Sequence, residues 1–295
     1  MKISYWIRAF RLRTLFLSLS CIWAGLICAQ ILGKTAIGLS IFTFLTALFL
    51  QILSNLANDY GDSVHGADHA GRKGPARTVQ AGLITKEQMK KALALFSIFS
   101  FITGCILLYL AVPQIGWLGV LILFAIGILS IVAAIAYTNG KRPYGYAGLG
   151  DLSVFIFFGW VAVLGAQYLQ TTSITQEAIF LSIAYGCLSI GVLNLNNMRD
   201  IISDQTAGKK SIPVRIGLPA AKVYHYTMLL TALMCFCLFN FIQEKSIFWN
   251  VIIAIPIFIN LRLVYFAKDY ASFDPLLKWL SLSTFIITCL IQISL

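Results

Sequence analysis

Residues 36–62 read AIGLSIFTFLTALFLQILSNLANDYGD. The stretch 36–54 carries no charged residue, and a helix needs about 20 mostly apolar residues to cross the hydrocarbon core of a bilayer. It leads straight into Asn55, Asn58, Asp59 and Asp62. The pattern is thus an apolar span that carries acids and amides at one end. If the helix continues through them, Asp59 and Asp62, three residues apart, share a face.

The rest of the chain extends that reading. Of 295 residues, 59% are hydrophobic and 11% charged, against about 45–50% apolar and 25% charged in a soluble domain. A pair of soluble domains is excluded, and 21 Phe, 12 Tyr and 6 Trp exclude a disordered chain. Nine segments are long and apolar enough to span: 14–32, 36–55, 89–111, 115–137, 151–170, 176–195, 223–242, 247–267 and 275–294. The expected fold is an all-α, polytopic membrane bundle of nine transmembrane helices. Of the 22 Lys and Arg, only Lys34 and Lys245 fall in the short loops of one side. The positive-inside rule puts the N-terminus and long loops in the cytoplasm and the C-terminus outside. The net charge of +11 reflects that bias and not nucleic-acid binding. The basic N-terminal end with its apolar run resembles a signal peptide, but lacks a small-residue cleavage site and reads as a retained first helix.

Acids are as lopsided as bases. Of eleven, only Glu177 and Glu244 fall on the outer side. Asp59, Asp62 and Asp68 follow span two; Asp200 and Asp204 follow span six, after Asn194, Asn196 and Asn197. Each cluster precedes a basic loop: Gly71-Arg72-Lys73-Gly74-Pro75 to Arg77, and Gly208-Lys209-Lys210 to Pro213 and Arg215. Asn55 to Asn194 is 139 residues, Gly71 to Gly208 is 137, and Arg77 to Arg215 is 138. Singly, Asn and Asp at a helix end are ordinary caps; the repetition points to a single domain, 1–295, with duplicated motifs at 55–77 and 194–215. Mg²⁺ takes carboxylate, water and phosphate oxygens. Two carboxylate clusters with cationic loops, at the cytoplasmic end of an apolar bundle, suit a lipid that carries a diphosphate. Secondary transporters also have repeats and intramembrane acids, but their sites lie near the midplane. These acids lie at the cytoplasmic ends of their spans.

The segments Asn55–Asp62 (NLANDYGD), Gly82–Lys91, Tyr137–Gly150 (YTNGKRPYGYAGLG), Phe157–Trp160 and Asn194–Asp204 resemble the UbiA superfamily of membrane prenyltransferases. Within it they are most similar to the branch that acts on 1,4-dihydroxy-2-naphthoate in menaquinone synthesis. The resemblance implies nine transmembrane helices and Mg²⁺-dependent transfer of a polyprenyl group from polyprenyl diphosphate to that acceptor. CO₂ and diphosphate are lost and demethylmenaquinone is formed. It also implies a plasma (inner) membrane location. It makes Asn58, Asp59, Asp62, Asp200 and Asp204 catalytic, the four acids among them metal ligands. Many relatives carry a third acid four residues after the Asp62 position. Here Gly66 stands there with Asp68 two residues later, so Asp68 either bends back to the metal or is a solvated loop residue.

Asn55, Arg72, Lys73, Arg77, Asn197, Lys209 and Lys210 are candidate diphosphate-binding or orienting residues, as are Lys141 and Arg142 for phosphate or the acceptor carboxylate. Tyr137 is a candidate for the aromatic pocket, with Tyr144 and Tyr146 weaker ones. Arg11 and Arg13 either meet the acceptor carboxylate or anchor headgroups. Asp151 is a reserve candidate. The seven Cys lie in apolar runs and read as buried apolar residues. His65, His69 and His225 are too scattered for a metal or triad and read as solvated or interfacial. Apart from membrane lipid, no protein partner is evident. Other acceptors remain open: 4-hydroxybenzoate, homogentisate, a haem vinyl group or a glycerol phosphate lipid.

Overall fold

The computed structural model of the protein describes residues 2–65 and 77–295. Asp68, His69, Arg72 and Lys73 lie outside the described residues. Among the described residues every regular element is helical. They are α1 (Ile3–Phe10), α2 (Leu12–Ile31), α3 (Ile37–His65), α4 (Lys86–Ala136), α5 (Gly150–Val154), α6 (Gly165–Thr171), α7 (Gln176–Arg199), α8 (Ile201–Thr206), α9 (Ile212–Ile242), α10 (Ile247–Phe266) and α11 (Phe273–Ser294). A π-helical stretch, Phe155–Leu164, joins α5 to α6. Helices suit apolar runs in lipid because every backbone polar group is satisfied inside the segment.

Among the described residues, eight helices are long and apolar enough to cross a membrane, against nine expected. The difference lies in α4, whose 51 residues take in two of the expected spans. A straight helix of that length would measure about 75 Å, against a hydrocarbon core of about 30 Å. It departs from helical dihedrals at Gly116 (φ 65, ψ 173), three residues after Pro113. Glycine adopts that φ without the penalty a Cβ brings. The expected loop around Pro113 is thus a kink.

Other boundaries moved as well. α3 runs on to His65, so the polar stretch after residue 55 is helical. α9 begins at Ile212, not 223, and bends at Gly217 (φ 78). The basic N-terminal end folds as α1, separated from α2 by Arg11 in the left-handed region (φ 51, ψ 62).

The outer surface is apolar. Trp117, Leu118, Phe241 and Ile247 are all exposed, as suits helices that face lipid. α7 is the buried centre, packed against α9, α11, α2 and the π-helical stretch. Small residues permit that closeness, since association within lipid relies on packing more than on hydrophobic drive. A Cβ on Gly159 would lie 2.6 Å from the Ser182 carbonyl oxygen of α7, and one on Gly186 would lie 2.7 Å from the Phe155 ring. His225 departs from expectation. It is buried where α9, α10 and α11 meet, sharing a 2.9 Å hydrogen bond with Asn260, whose Nδ2 donates to the Leu276 carbonyl at 3.4 Å. A buried polar ring in a bundle must be paired, and Asn260 supplies the partner.

The close approach predicts an asymmetry between two glycines of one rod. Gly159→Ala should destabilise by about 1–3 kcal/mol, because the obstacle is backbone. Gly165→Ala, with nothing within 4 Å, should be neutral or stabilising by about 0.5–1 kcal/mol. Thermal unfolding in detergent reads both. Equal effects would refute the packing account.

Candidate active site

The last turns of α3 bury Asn55, Asp59 and Asp62. Ion burial is costly unless each charge is paired and hydrogen-bonded, and the surrounding loops supply the partners. Thr78 donates from its backbone N–H (3.2 Å) and its hydroxyl to Asp59 Oδ2. Arg77 pairs with Asp62 Oδ2 and donates to the Asn58 carbonyl at 2.7 Å. The other Asp62 oxygen accepts from the Tyr146 hydroxyl at 2.8 Å.

The loop after α4 locks this end in place. Thr138 Oγ1 donates to the Ala57 carbonyl (2.9 Å) and to Asn58 Oδ1 (3.3 Å), and Asn139 Nδ2 to the same carbonyl at 3.0 Å. Gly61 makes room: a Cβ there would sit 2.5 Å from the Thr138 carbonyl oxygen. The same loop reaches the second motif, because the Lys210 backbone N–H donates to the Tyr146 carbonyl at 2.9 Å. Arg215 ties it down further, donating from Nη2 to the Ala147 carbonyl at 2.6 Å.

In the second motif the helix breaks. α7 ends at Arg199, Asp200 leaves helical geometry (φ −99, ψ 11), and α8 resumes at Ile201. The Asp204 N–H still bonds to the Asp200 carbonyl at 2.8 Å, so the two acids keep helical spacing. Arg199, fully buried, forks onto Asp200 (Nε to Oδ1 2.9 Å, Nη2 to Oδ2 2.7 Å). It also donates to Asn196 Oδ1 at 2.7 Å and to Asp274 Oδ1 at 2.5 Å. Lys209 lies 3.3 Å from Asp204, which also accepts from Ser211 at 3.3 Å.

Lys209 joins the two motifs. Burial acts to lower its ammonium, but Asp204 and Asp62 outweigh that and hold it above its ordinary value. Burial pushes the Asp204 carboxyl upward, Lys209 opposes this, and nearby Asp200 and Asp62 reinforce it. Burial also raises the Tyr137 hydroxyl to about 12.

Below this cluster lies a cavity of about 360 Å³, within the range of small-molecule sites. Its polar end is lined by Asn58, Asp62, Arg77 and Lys209; Leu107, Leu123, Phe157 and Leu169 line the apolar part. Asn55, Tyr137 and Tyr144 also face it. Lys141, Arg142 and Lys210 are exposed and do not line it. Lys210 contributes its backbone, not its charge. Asp151 is buried, accepts from the Tyr224 hydroxyl at 3.2 Å, and likewise lies outside the cavity wall. Sequence reasoning overlooked Thr78, Arg199 and Asp274. The signal for Arg199 was its place beside Asp200, where a topological count of bases absorbed it.

The donor set fits a hard cation. All the candidate ligands are oxygens, and Asp59 Oδ1 and Asn197 Oδ1 are buried without a hydrogen-bond partner among the described residues, which polar atoms rarely tolerate. Among the described residues no three His, Cys, Asp or Glu side chains gather into a cage. Mg²⁺ does not require one, since it commonly uses one or two carboxylates with water and phosphate oxygens.

The chain is similar to known proteins. Residues 17–289 match the model of the UbiA prenyltransferase family. The chain is 41% identical over 276 residues to 1,4-dihydroxy-2-naphthoate octaprenyltransferase of Escherichia coli (strain K12), covering 92% of this chain and 89% of that one. It is 38% identical over 301 residues to the protein of the same name from Haemophilus influenzae, covering 100% and 96%. Its fold is similar to the apo structure of a UbiA homolog from Aeropyrum pernix K1, with TM-score 0.70 at 15% identity, over 96% and 97% of the two chains. It is also similar to the structure of a UbiA homolog from Archaeoglobus fulgidus bound to GPP and Mg²⁺, with TM-score 0.60 at 14% identity, over 97% and 99%. A family match over nearly the whole chain, the repeated acid motifs and the helical bundle agree: this multi-pass membrane protein belongs to the UbiA prenyltransferase family.

Proposed function

We propose that the chain transfers a polyprenyl group from polyprenyl diphosphate to 1,4-dihydroxy-2-naphthoate, releasing diphosphate and CO₂ and giving demethylmenaquinone in its reduced form. The observation that carries this reading is one apolar cavity that ends at Asp62, Arg77 and Lys209. A lipid tail and an anionic headgroup fit its two parts. The names of the relatives support the acceptor.

The described site sets Asp59, Asp62, Asp200 and Asp204 against Arg77, Arg199 and Lys209. Mg²⁺ ions, each held by one or two of these acids with Asn58 and Asn197 orienting, would stabilise the negative charge of the departing diphosphate. Arg77 and Lys209 meet phosphate oxygens, and Tyr146 steadies Asp62. The allylic C–O bond breaks with its electron pair leaving on diphosphate. The apolar walls keep water from the allylic cation, and the ring faces of Tyr137 and Tyr144 stabilise it. The ring carbon that bears the carboxylate forms the new C–C bond. The bond to the carboxylate then breaks, CO₂ leaves, and its electrons restore the aromatic ring.

The sequence bias in Lys and Arg supports a plasma-membrane protein with the site at the cytoplasmic end, N-terminus inside and C-terminus outside. Each half of α4 then makes its own pass, giving nine. The chain acts as one domain with duplicated motifs.

Asp62→Asn and Asp204→Asn should each lower prenyl transfer about 100- to 1,000-fold, the scale of losing one charge-stabilising group. Removing Mg²⁺ with a chelator should abolish wild-type donor binding, and restoring it should recover binding in the wild type only. Near-normal turnover of both variants at saturating Mg²⁺ would contradict the assignment. For orientation, a label at a cysteine introduced in place of the exposed Lys141 should be reachable only from the cytoplasm and a C-terminal label only from outside. A cytoplasmic C-terminus would rule out the odd number of passes.

A further inference from the structure

The cavity has a second cationic wall. Arg11 and Arg13, at the start of α2, line it together with Asn196. We propose that Arg13 binds the carboxylate of the aromatic acceptor and that Asp274 positions it. This rests on the reading of the chain as a prenyltransferase.

Charge leads to this assignment first. Asp274 Oδ1 accepts from Arg13 at 3.0 Å and from Arg199 at 2.5 Å, while Lys278 lies 3.5 Å from its other oxygen. Arg199 is balanced by its fork onto Asp200. One Asp274 carboxylate is thus shared by three cations, Arg13, Arg199 and Lys278. Lys278 is exposed, whereas Arg13 faces a mostly apolar cavity. A cation at an apolar wall gains most from an anion that binds beside it.

Backbone geometry points the same way. Arg11 is a non-glycine residue in the left-handed region, and such outliers persist only where the surroundings enforce them. Asn55 Nδ2 donates to the Phe10 carbonyl and to Thr14 Oγ1, both at 2.9 Å, bracketing the Arg11–Arg13 turn. Asn55, expected to touch substrate, thus shapes the turn that carries the two arginines.

The chemistry of the ligand follows from what surrounds Arg13. The carboxylates of the two motifs that would share divalent ions with a diphosphate pair with Thr78, Arg77, Arg199 and Lys209 instead. A planar guanidinium matches a carboxylate in two parallel hydrogen bonds. Leu17, one turn along α2 from Arg13, and Leu277, one turn along α11 from Asp274, also line the cavity and give a flat ring an apolar bed.

The test is binding to the purified chain in lipid nanodiscs, comparing 1-hydroxy-2-naphthoate with 1-naphthol, which lacks only the carboxylate. The wild type should prefer the acid. Arg13→Gln should weaken the acid about 10- to 100-fold and leave 1-naphthol and farnesyl diphosphate unchanged. Arg13→Lys should recover part of the loss. Equal weakening of acid and naphthol, or loss of farnesyl diphosphate affinity with the acid unaffected, would overturn the assignment. If transfer assays show another aromatic acid as the acceptor, the naphthoate reading falls. The Arg13 assignment then stands or falls on the same comparison of 4-hydroxybenzoate with phenol.

Discussion

Burying carboxylates at the end of an apolar bundle is the constraint on which the rest of the site depends. An isolated carboxylate there would shift its pKa and neutralise. In this chain each acid has a partner: Thr78 for Asp59, Arg77 for Asp62, the adjacent Arg199 for Asp200 and Lys209 for Asp204. The loop 137–149 has its form because of that demand. It supplies the Tyr146 hydroxyl to Asp62, ties down α3 through Thr138, and accepts the backbone of Lys210.

The two motifs are braced differently, and that difference bears on function. The first is a continuous helix end whose acids are held by Arg77 and Thr78, 15 and 19 residues further along the chain. The second is a break in the helix, held by a buried arginine that reaches Asp274 on α11. Because Asp274 also meets Arg13 on α2, the second motif is connected to the part of the cavity wall that Arg13 lines. The last helix, which carries neither motif, is thereby part of the site.

The spans and the acid motifs were legible in the sequence because apolar runs and duplicated polar clusters are local signals. The kink in α4 was half legible. Pro113 marked the place, but the departure from helical geometry is confined to Gly116, with helix on either side, where a loop was expected. The continuation of α3 through Asn55–Asp62 was legible only as a condition, since caps and helix ends use the same residues. The pairing of Arg199 with Asp274 was not legible at all. They are 75 residues apart, and their pairing exists only once α7 and α11 pack. His225 was misread for the same reason, because its burial depends on Asn260 from another helix.

The most direct test of the central claim is mass spectrometry of the lipids formed by the purified chain with Mg²⁺, one polyprenyl diphosphate and a mixture of aromatic acceptors. The account predicts a prenylated naphthalenediol that has lost the mass of CO₂, formed with one diphosphate per product. A prenylated 4-hydroxybenzoate that keeps its carboxylate, formed in place of the naphthalenediol, would contradict it.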